Sequence, residues 1–314
     1  MTKADDSSLD PNDRCAVEEH ARKLLDRAAA WNRFPTPIDD ILEAANVKVA
    51  PTNVFSAEAI LSYITNKSAD AARFVKSAIS KVFGIYDSLD NLIHIDSTVG
   101  ASKQNFLKLH ETGHHHLPTH RKVFRFFQDC GKTLEPEIAD QFEREANNFA
   151  RFALFQGNGY ASCAADCALE IKTPMKLAGK FGASIYASAR EFARTNHRAC
   201  VVYVLERIEF AEGSGARAAV RRIETSPSYR AQFGIPQDTA IDLDHPLGKL
   251  LPIGRKMTRP TSLAINDLNG IAHECVAEAF DTSWNVIILM YPKADLTATT
   301  IIVPASYKEL TSAK

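Results

Sequence analysis

Apolar residues recur at helical spacing through most of the first half of the chain. The spacing predicts a helix from Asp13 to Trp31, with Asp13 as its N-cap, and a short helix over Ile38–Ala45. Two apolar runs, Lys81–Tyr86 and Asn91–Ile95, flank a polar turn and predict a β-hairpin. Longer helices are predicted at Ala57–Ile79, Ser102–His116 and Glu137–Phe155.

The pattern changes in the middle of the chain. Two short helical segments, Pro174–Phe181 and Ser184–Thr195, meet at Gly182 and predict a helical hairpin of the helix-turn-helix type. The segments Gly213–Gly215 and Pro227–Gly234 are assigned to connections. Short apolar runs beyond the hairpin predict strands at Cys200–Ile208, Cys275–Phe280, Asn285–Tyr291 and Thr299–Val303.

Composition and charge exclude several classes of protein. The chain has 314 residues, 45% of them hydrophobic, and a formal net charge of −1. A protein that binds nucleic acid mainly through phosphates would be more basic, so general nucleic-acid binding is disfavoured. The first residues are polar and no apolar run approaches the ~20 residues that span a bilayer, so we expect a cytoplasmic protein without a membrane segment. The six cysteines include no CxxC pair and are expected to be reduced thiols.

The most specific motif is HETGH, at His110–His114, within the predicted helix Ser102–His116. Residues four apart on a helix lie ~40° apart around its axis, so His110 and His114 can bind one cation. Glu111 lies ~100° further round, where its carboxylate can accept a proton from a water at the open position of the metal. The spacing therefore indicates a zinc hydrolase.

Two residues could supply a third ligand. His120 follows His114 by six residues, as in enzymes with the longer motif HExxHxxGxxH, but Leu117 stands at the glycine position. Glu143, on the next predicted helix, shares a face with Asn147, which could hydrogen-bond a ligand histidine or neighbouring backbone. The sequence favours Glu143 and leaves His120 as the alternative.

If Glu143 is the third ligand, its polar neighbours are expected to be solvated. Glu145 lies ~200° from Glu143 around the helix, so both carboxylates cannot face one metal. We expect Glu145 to be a surface charge that pairs with Arg144 or Arg151. The other histidines near the motif are expected in a solvated loop or rim: His115, His116 and His120.

The residues around both motifs resemble the ImmA/IrrE family of metallo-endopeptidases. The resemblance rests on FLKLHETGH at Phe106–His114 and on EREANNFA at Glu143–Ala150, and it covers about Ala16 to Phe155. It implies that Glu111 is the general base. It also implies a zinc site, with manganese as the alternative metal, formed by His110, His114 and Glu143.

The resemblance also implies a fold and a substrate. We expect an α+β protein with a zincin-like metallopeptidase domain at 11–160, a helical connector of helix-turn-helix type at 161–199 and a mixed α/β domain at 200–314. In the family the last domain is often GAF-like and is suspected of sensing. The implied substrate is a helix-turn-helix transcriptional repressor, cut in a stress or mobile-element response. The strand Asn91–Ile95 would hold the substrate by β-addition.

Two other functions compete with peptide hydrolysis. One is a non-catalytic regulator that binds a repressor, with a vestigial or structural metal site. The other is DNA binding through the predicted hairpin, whose basic residues include Lys176, Lys180, Arg190 and Arg194. The start of its second helix, at Ser184–Ala187, offers little to read bases, so direct DNA binding is disfavoured.

Overall fold

The computed structural model describes a mixed α/β chain over residues 6–50, 84–87, 91–96, 98–121, 136–211 and 215–294. The predicted helix Ala57–Ile79 and the predicted strand Thr299–Val303 lie outside these residues. The chain divides into two compact units, Met1–Phe192 and Ala193–Lys314. The division into three domains, with a GAF-like third domain, stays a prediction.

The first helix, α1 (Pro11–Arg27), begins earlier than the sequence predicts. Asp10, and not Asp13, is its N-cap: the Asp10 carboxylate accepts hydrogen bonds from the backbone N–H groups of Asn12 at 2.9 Å and Asp13 at 3.1 Å. Proline fits the first helical position because the N–H group that it lacks would have no partner within the helix. The helix also ends before the predicted Trp31, since its last residue is Arg27.

A three-stranded sheet lies in the first unit: β1 (Lys48–Val49), β2 (Gly84–Asp87) and β3 (Leu92–Ile95). The predicted hairpin is confirmed, because β2 and β3 pair antiparallel. The strand order is β1-β3-β2, so β3 is the middle strand. On its β1 side, Asn91 and Ile93 already accept hydrogen bonds from the backbone N–H groups of Lys48 and Ala50. The expectation that a substrate strand adds along Asn91–Ile95 is therefore wrong for Asn91–Ile93, where this side of the strand already pairs with β1.

Two long helices carry the metal-binding motifs, and both agree closely with prediction. They are α3 (Ala101–His116) and α4 (Pro136–Phe155), and they follow the short helix α2 (Ile38–Ala44). The helices α3 and α4 pack closely because Gly113 has no side chain: a Cβ there would lie 3.2 Å from the Phe149 ring. The glycine of the HETGH motif thus allows α4 to approach the two histidines.

One arginine ties α4 to two other helices. Arg151 contacts Glu18 of α1 at 2.8 Å and Glu191 at 3.0 Å. Its side chain is only 15% exposed, so the two carboxylates compensate a charge that is largely removed from water. These contacts hold α4 in one rotation about its own axis. That rotation sets the direction of Asn147, one turn earlier, and of Glu143, two turns earlier.

The predicted helical hairpin is confirmed. After α5 (Gly159–Ala165), the helices α6 (Lys172–Phe181) and α7 (Ile185–Thr195) are joined at Gly182. Gly182 adopts φ +71°, in the left-handed region that residues with a Cβ rarely occupy.

The second unit contains an antiparallel sheet of seven described strands. The predicted strands near 200, 275 and 285 are confirmed, but the sequence missed the strands towards both edges of the sheet. The segment Pro227–Phe233, assigned to a connection, is the helix α8, which Ser226 caps by accepting a hydrogen bond from the N–H of Tyr229. The strands are β4 (Val201–Leu205), β5 (Glu209–Ala211), β6 (Gly215–Thr225), β7 (Ala240–Asp242), β8 (Thr261–Asn266), β9 (Ala272–Asp281) and β10 (Val286–Pro292).

The core of this unit lies around its two central strands. The strand order is β5-β6-β4-β10-β9-β8, with β7 also paired to β6. All five residues of β4 and the first five of β10 are buried, so these strands read as continuous apolar runs. Among the helices of the described residues, none has the length and hydropathy needed to cross a membrane.

Candidate metal centre

The structure brings together the three residues that the sequence proposed as metal ligands. The Nε2 atoms of His110 and His114 lie 3.2 Å apart, which follows from their spacing of four residues on α3. The Glu143 carboxylate reaches them from α4, at 3.3 Å from the Nε2 of His110 and 3.5 Å from that of His114. Both histidines are buried, whereas the Glu143 side chain is 55% exposed.

These distances fit a divalent metal ion. Donors that each lie ~2.0–2.1 Å from one tetrahedral ion are separated from one another by ~3.3–3.4 Å. The three measured separations, from 3.2 to 3.5 Å, lie around that value. Two imidazoles and a carboxylate are also the donor set of many zinc enzymes that keep one position open. The group of His110, His114 and Glu143 could therefore bind a metal.

The pKa values of the three groups are all shifted, but not all in the same direction. Burial lowers the pKa of His110, but hydrogen bonding to Glu143 and its charge outweigh this effect and raise the pKa to about 9. Burial and the nearby His110 lower the pKa of His114 to about 4. Burial would raise the pKa of Glu143, but its bonds to the two histidines hold it well below the usual range. The negative charge of Glu143 and Glu111 beside two buried histidines favours a positive charge in this group, and a metal cation would supply one.

Glu111 and Asn147 are polar neighbours of the group formed by His110, His114 and Glu143. Glu111 is only 7% exposed, and its charge helps to raise the pKa of His110. Asn147 contributes to the raised pKa of His110, and its amide donates to the backbone carbonyl of Asp6 at 2.8 Å. The next residue, Asn148, donates in the same way to the carbonyl of Ser7. The segment that precedes α1 thus lies against the face of α4 that carries Asn147.

His120 does not join the three candidate ligands, and it is not solvated as expected. It is fully buried, with its Nδ1 atom 3.0 Å from the Nδ1 of His114. The Nε2 of His114 is the atom that meets Glu143, so His120 lies at the opposite side of the His114 ring. Leu117 ends α3 in an extended conformation, with φ −72° and ψ 121°, which needs no glycine.

Two further expectations about solvated residues are wrong. Glu145 is only 9% exposed and binds His120 at 2.8 Å, instead of pairing with Arg144 or Arg151 at the surface. His115 is buried, with its Nε2 atom 3.0 Å from the carbonyl oxygen of Ala45. Both expectations fail for the same reason. Glu145 and His115 are buried against polar partners on other elements of the structure.

Comparison with known proteins leaves the family of the chain open. No protein-family model and no curated protein matches it. Among solved structures, it is similar to a Mycobacterium tuberculosis transcriptional regulator, with a TM-score of 0.49 and 10% sequence identity. The match covers 88% of this chain and 75% of that chain. Similarity at this level assigns neither a family nor a function, so any functional argument depends on the site itself.

Proposed function

We propose that the chain is a zinc-dependent endopeptidase of the ImmA/IrrE type, with a zincin-like catalytic domain in its first unit. The observation that carries the proposal is the convergence of His110, His114 and Glu143 beside the buried carboxylate of Glu111. A structural zinc site would need no general base. Here a carboxylate lies beside the candidate ligands, within the same motif, without belonging to the ligand group.

The proposed ligands have distinct tasks. His110 and His114 would hold the metal from the rigid helix α3, while Glu143 would close the group from α4. A bound divalent ion, zinc or manganese, supplies Lewis-acid chemistry that polarises a peptide carbonyl and acidifies water. Asn147, one turn after Glu143 on the same face of α4, would support this arrangement as a polar neighbour of His110.

Glu111 would carry the proton transfers. Its carboxylate accepts a proton from the attacking water and later gives it to the nitrogen of the leaving amine, so one group acts as base and then as acid. Burial of Glu111 excludes bulk water that would otherwise compete for these transfers.

The substrate in this proposal is an extended segment of a helix-turn-helix repressor. The repressor is suggested by the sequence resemblance, and the extended form by the sheet beside α3. Because β3 is paired on both sides, the segment would add to an outer strand, and β2 offers the longer one, at Gly84–Asp87.

The test compares Glu111→Gln with Glu137→Gln, an exposed glutamate at the start of α4. The zinc-loaded protein is incubated with the helix-turn-helix repressor encoded beside it and, separately, with a peptide library, and fragments are identified by mass spectrometry. We expect Glu111→Gln to retain zinc and to lower the cleavage rate by ~10²–10⁴-fold, the usual contribution of a general base. The Glu137→Gln variant should cleave like the unmodified protein.

Two results would count against the proposal. If Glu111→Gln cleaves at the original rate, Glu111 is not the base. If the unmodified protein binds the repressor but cuts neither it nor any library peptide, the chain is a non-catalytic regulator instead.

A further inference from the structure

A line of buried polar side chains runs from His114 into the protein, away from the candidate metal position. The Nδ1 atoms of His114 and His120 are 3.0 Å apart, and the Nε2 of His120 is 2.8 Å from a carboxylate oxygen of Glu145. The other oxygen of Glu145 accepts a hydrogen bond from the side-chain amide of Gln141 at 2.9 Å. Of the residues that the sequence proposed as metal ligands, His114 and the alternative ligand His120 lie on this line.

The chemistry of the line fixes the positions of its protons. A carboxylate accepts hydrogen bonds, so His120 must donate to Glu145 from its Nε2 atom. When His120 carries a single proton, Nε2 holds it, so the Nδ1 of His120 accepts from His114. His114 therefore carries its proton on Nδ1 and keeps a lone pair on Nε2. Nε2 is the atom of His114 that lies beside Glu143 and His110, at the candidate metal position.

The opposite order of protons would disable the site. If His120 donated to His114 from Nδ1, His114 would carry its proton on Nε2 and could not bind a metal through that atom. The proton order that leaves Nε2 of His114 open is therefore the one that Glu145 selects.

Packing holds the line in place. His120 stacks on the ring of Phe142, with centroids 4.0 Å apart and planes 18° from parallel. His120 is fully buried and the side chain of Glu145 is only 11% exposed, so bulk water does not compete for these hydrogen bonds. Both Phe142 and Glu145 belong to α4, the helix that also carries Glu143. One helix thus provides a candidate ligand and the support for another.

We propose that His120 and Glu145 are positioning residues, which hold His114 in the tautomer and orientation needed to bind a metal through Nε2. The inference deepens the proposed function, since it rests on the metal site of the proposed peptidase. It predicts that metal affinity depends on two residues that do not touch the metal. Outer partners of this kind typically contribute ~10–100-fold to affinity.

The test measures zinc affinity by competition with a chromophoric chelator, without any peptide substrate. The replacement His120→Leu removes the acceptor for His114, and we expect it to weaken zinc binding by ~10–100-fold. In His120→Gln the amide oxygen can accept from His114 while the amide nitrogen donates to Glu145, so affinity should recover to near the original value.

The matched control is His115→Leu. His115 follows His114 on α3, is also buried and contacts the carbonyl oxygen of Ala45. Its loss removes a buried histidine without touching the line, so zinc affinity should not change. A drop equal to that of His120→Leu would show that the effect is general damage to α3, which would overturn the inference.

A second measurement does not depend on the variants. Long-range ¹H–¹⁵N NMR of the unmodified metal-free protein reports which nitrogen of His114 carries the proton. A proton on Nδ1 supports the inference, whereas a proton on Nε2 overturns it. The inference also fails if His120→Leu binds zinc normally, or if His120→Gln is as weak as His120→Leu.

The two proposals can fail separately. Loss of zinc affinity in His120→Leu together with no cleavage of any substrate would retain the positioning role and reject the peptidase. Cleavage that depends on Glu111 together with normal zinc binding by His120→Leu would do the reverse.

Discussion

The dipeptide His-Glu occurs twice in the chain, in two different kinds of element. At His110-Glu111 it lies on the helix α3, and His114 returns to the same face one turn later. At His273-Glu274 it lies on the strand β9, where successive side chains face opposite sides of the sheet. The same two residue types therefore lie at a candidate metal group in one unit and contact two separate partners in the other.

The partners of the second pair show how the strand separates them. His273 lies 3.0 Å from the carboxylate of Asp267, whereas the exposed Glu274 lies 3.1 Å from Lys293. Cys275 comes next and points into the core of the unit, where its side chain is fully buried. Histidine, glutamate and cysteine can all bind metals, but at these three consecutive positions their side chains do not converge on one point. The element that carries a motif decides whether its ligands meet.

The comparison between the two His-Glu motifs requires β9 to hold Cys275 in the core, away from solvent. The reactivity of the Cys275 thiol tests this most directly. Burial raises the pKa of its thiol to about 11. At pH 8 such a thiol is only ~0.1% ionised, against ~25% for an ordinary thiol of pKa ~8.5. We expect N-ethylmaleimide to modify Cys275 more than ~100-fold more slowly than the exposed Cys15, and its rate to rise about tenfold per pH unit up to about 11. Peptide mass spectrometry measures both rates, and equal rates would show that β9 opens.

The next largest effect should come from removing a histidine from each motif. The replacement His110→Ala removes a proposed ligand, and we expect it to weaken zinc binding by more than ~100-fold, beyond the loss typical of an outer partner. The matched variant His273→Ala should leave zinc affinity unchanged, since its partner is Asp267. Chelator competition measures both. If His273→Ala also weakened zinc binding, the strand motif would have to be reconsidered as a metal site.

A smaller effect is expected from the packing behind the helical motif. In Gly113→Ala the new Cβ lies 3.2 Å from the ring of Phe149, and such overpacking should lower the free energy of unfolding by ~1–3 kcal/mol. Gly179, on α6, has open space around it, so Gly179→Ala should raise that free energy by ~0.5–1 kcal/mol through helix propensity. Urea unfolding compares the two variants. Effects of the same sign would contradict the close approach of α3 and α4.

The candidate ligand group could be predicted from the sequence because it depends on local geometry. A separation of four residues on α3 is enough to direct His110 and His114 to one side. The periodicity of α4 places Glu143 and Asn147 on one face in the same way. The relative direction of two side chains can therefore be predicted from the sequence where a single helical turn determines it.

The support for the site could not be predicted, because it depends on contacts between distant elements. His120 follows a proline and lies among polar residues, so its neighbourhood suggests a solvated loop. Its burial results from stacking on Phe142 and from the bond to Glu145, both on α4. The spacing of Gln141 and Glu145, four residues apart, was a weak local sign that this face of α4 has its own polar partners.

The outer strands of the second unit were missed for a different reason. The 11-residue strand β6 mixes small and charged residues, including Arg217, Arg221 and Arg222, and so lacks the apolar run that marks β4 and β10. Its pairing with β4 and β7 forms it, since a strand near the edge of a sheet buries little of its own surface.

The anchoring of Asp6 and Ser7 to Asn147 and Asn148 has a practical consequence for handling the protein. A polyhistidine tag fused to the amino terminus would join the chain a few residues before a segment bound to the helix that carries Glu143. Its imidazoles would compete for zinc at high local concentration, and the affinity measured would belong partly to the tag. Purification for metal titrations therefore calls for a removable tag.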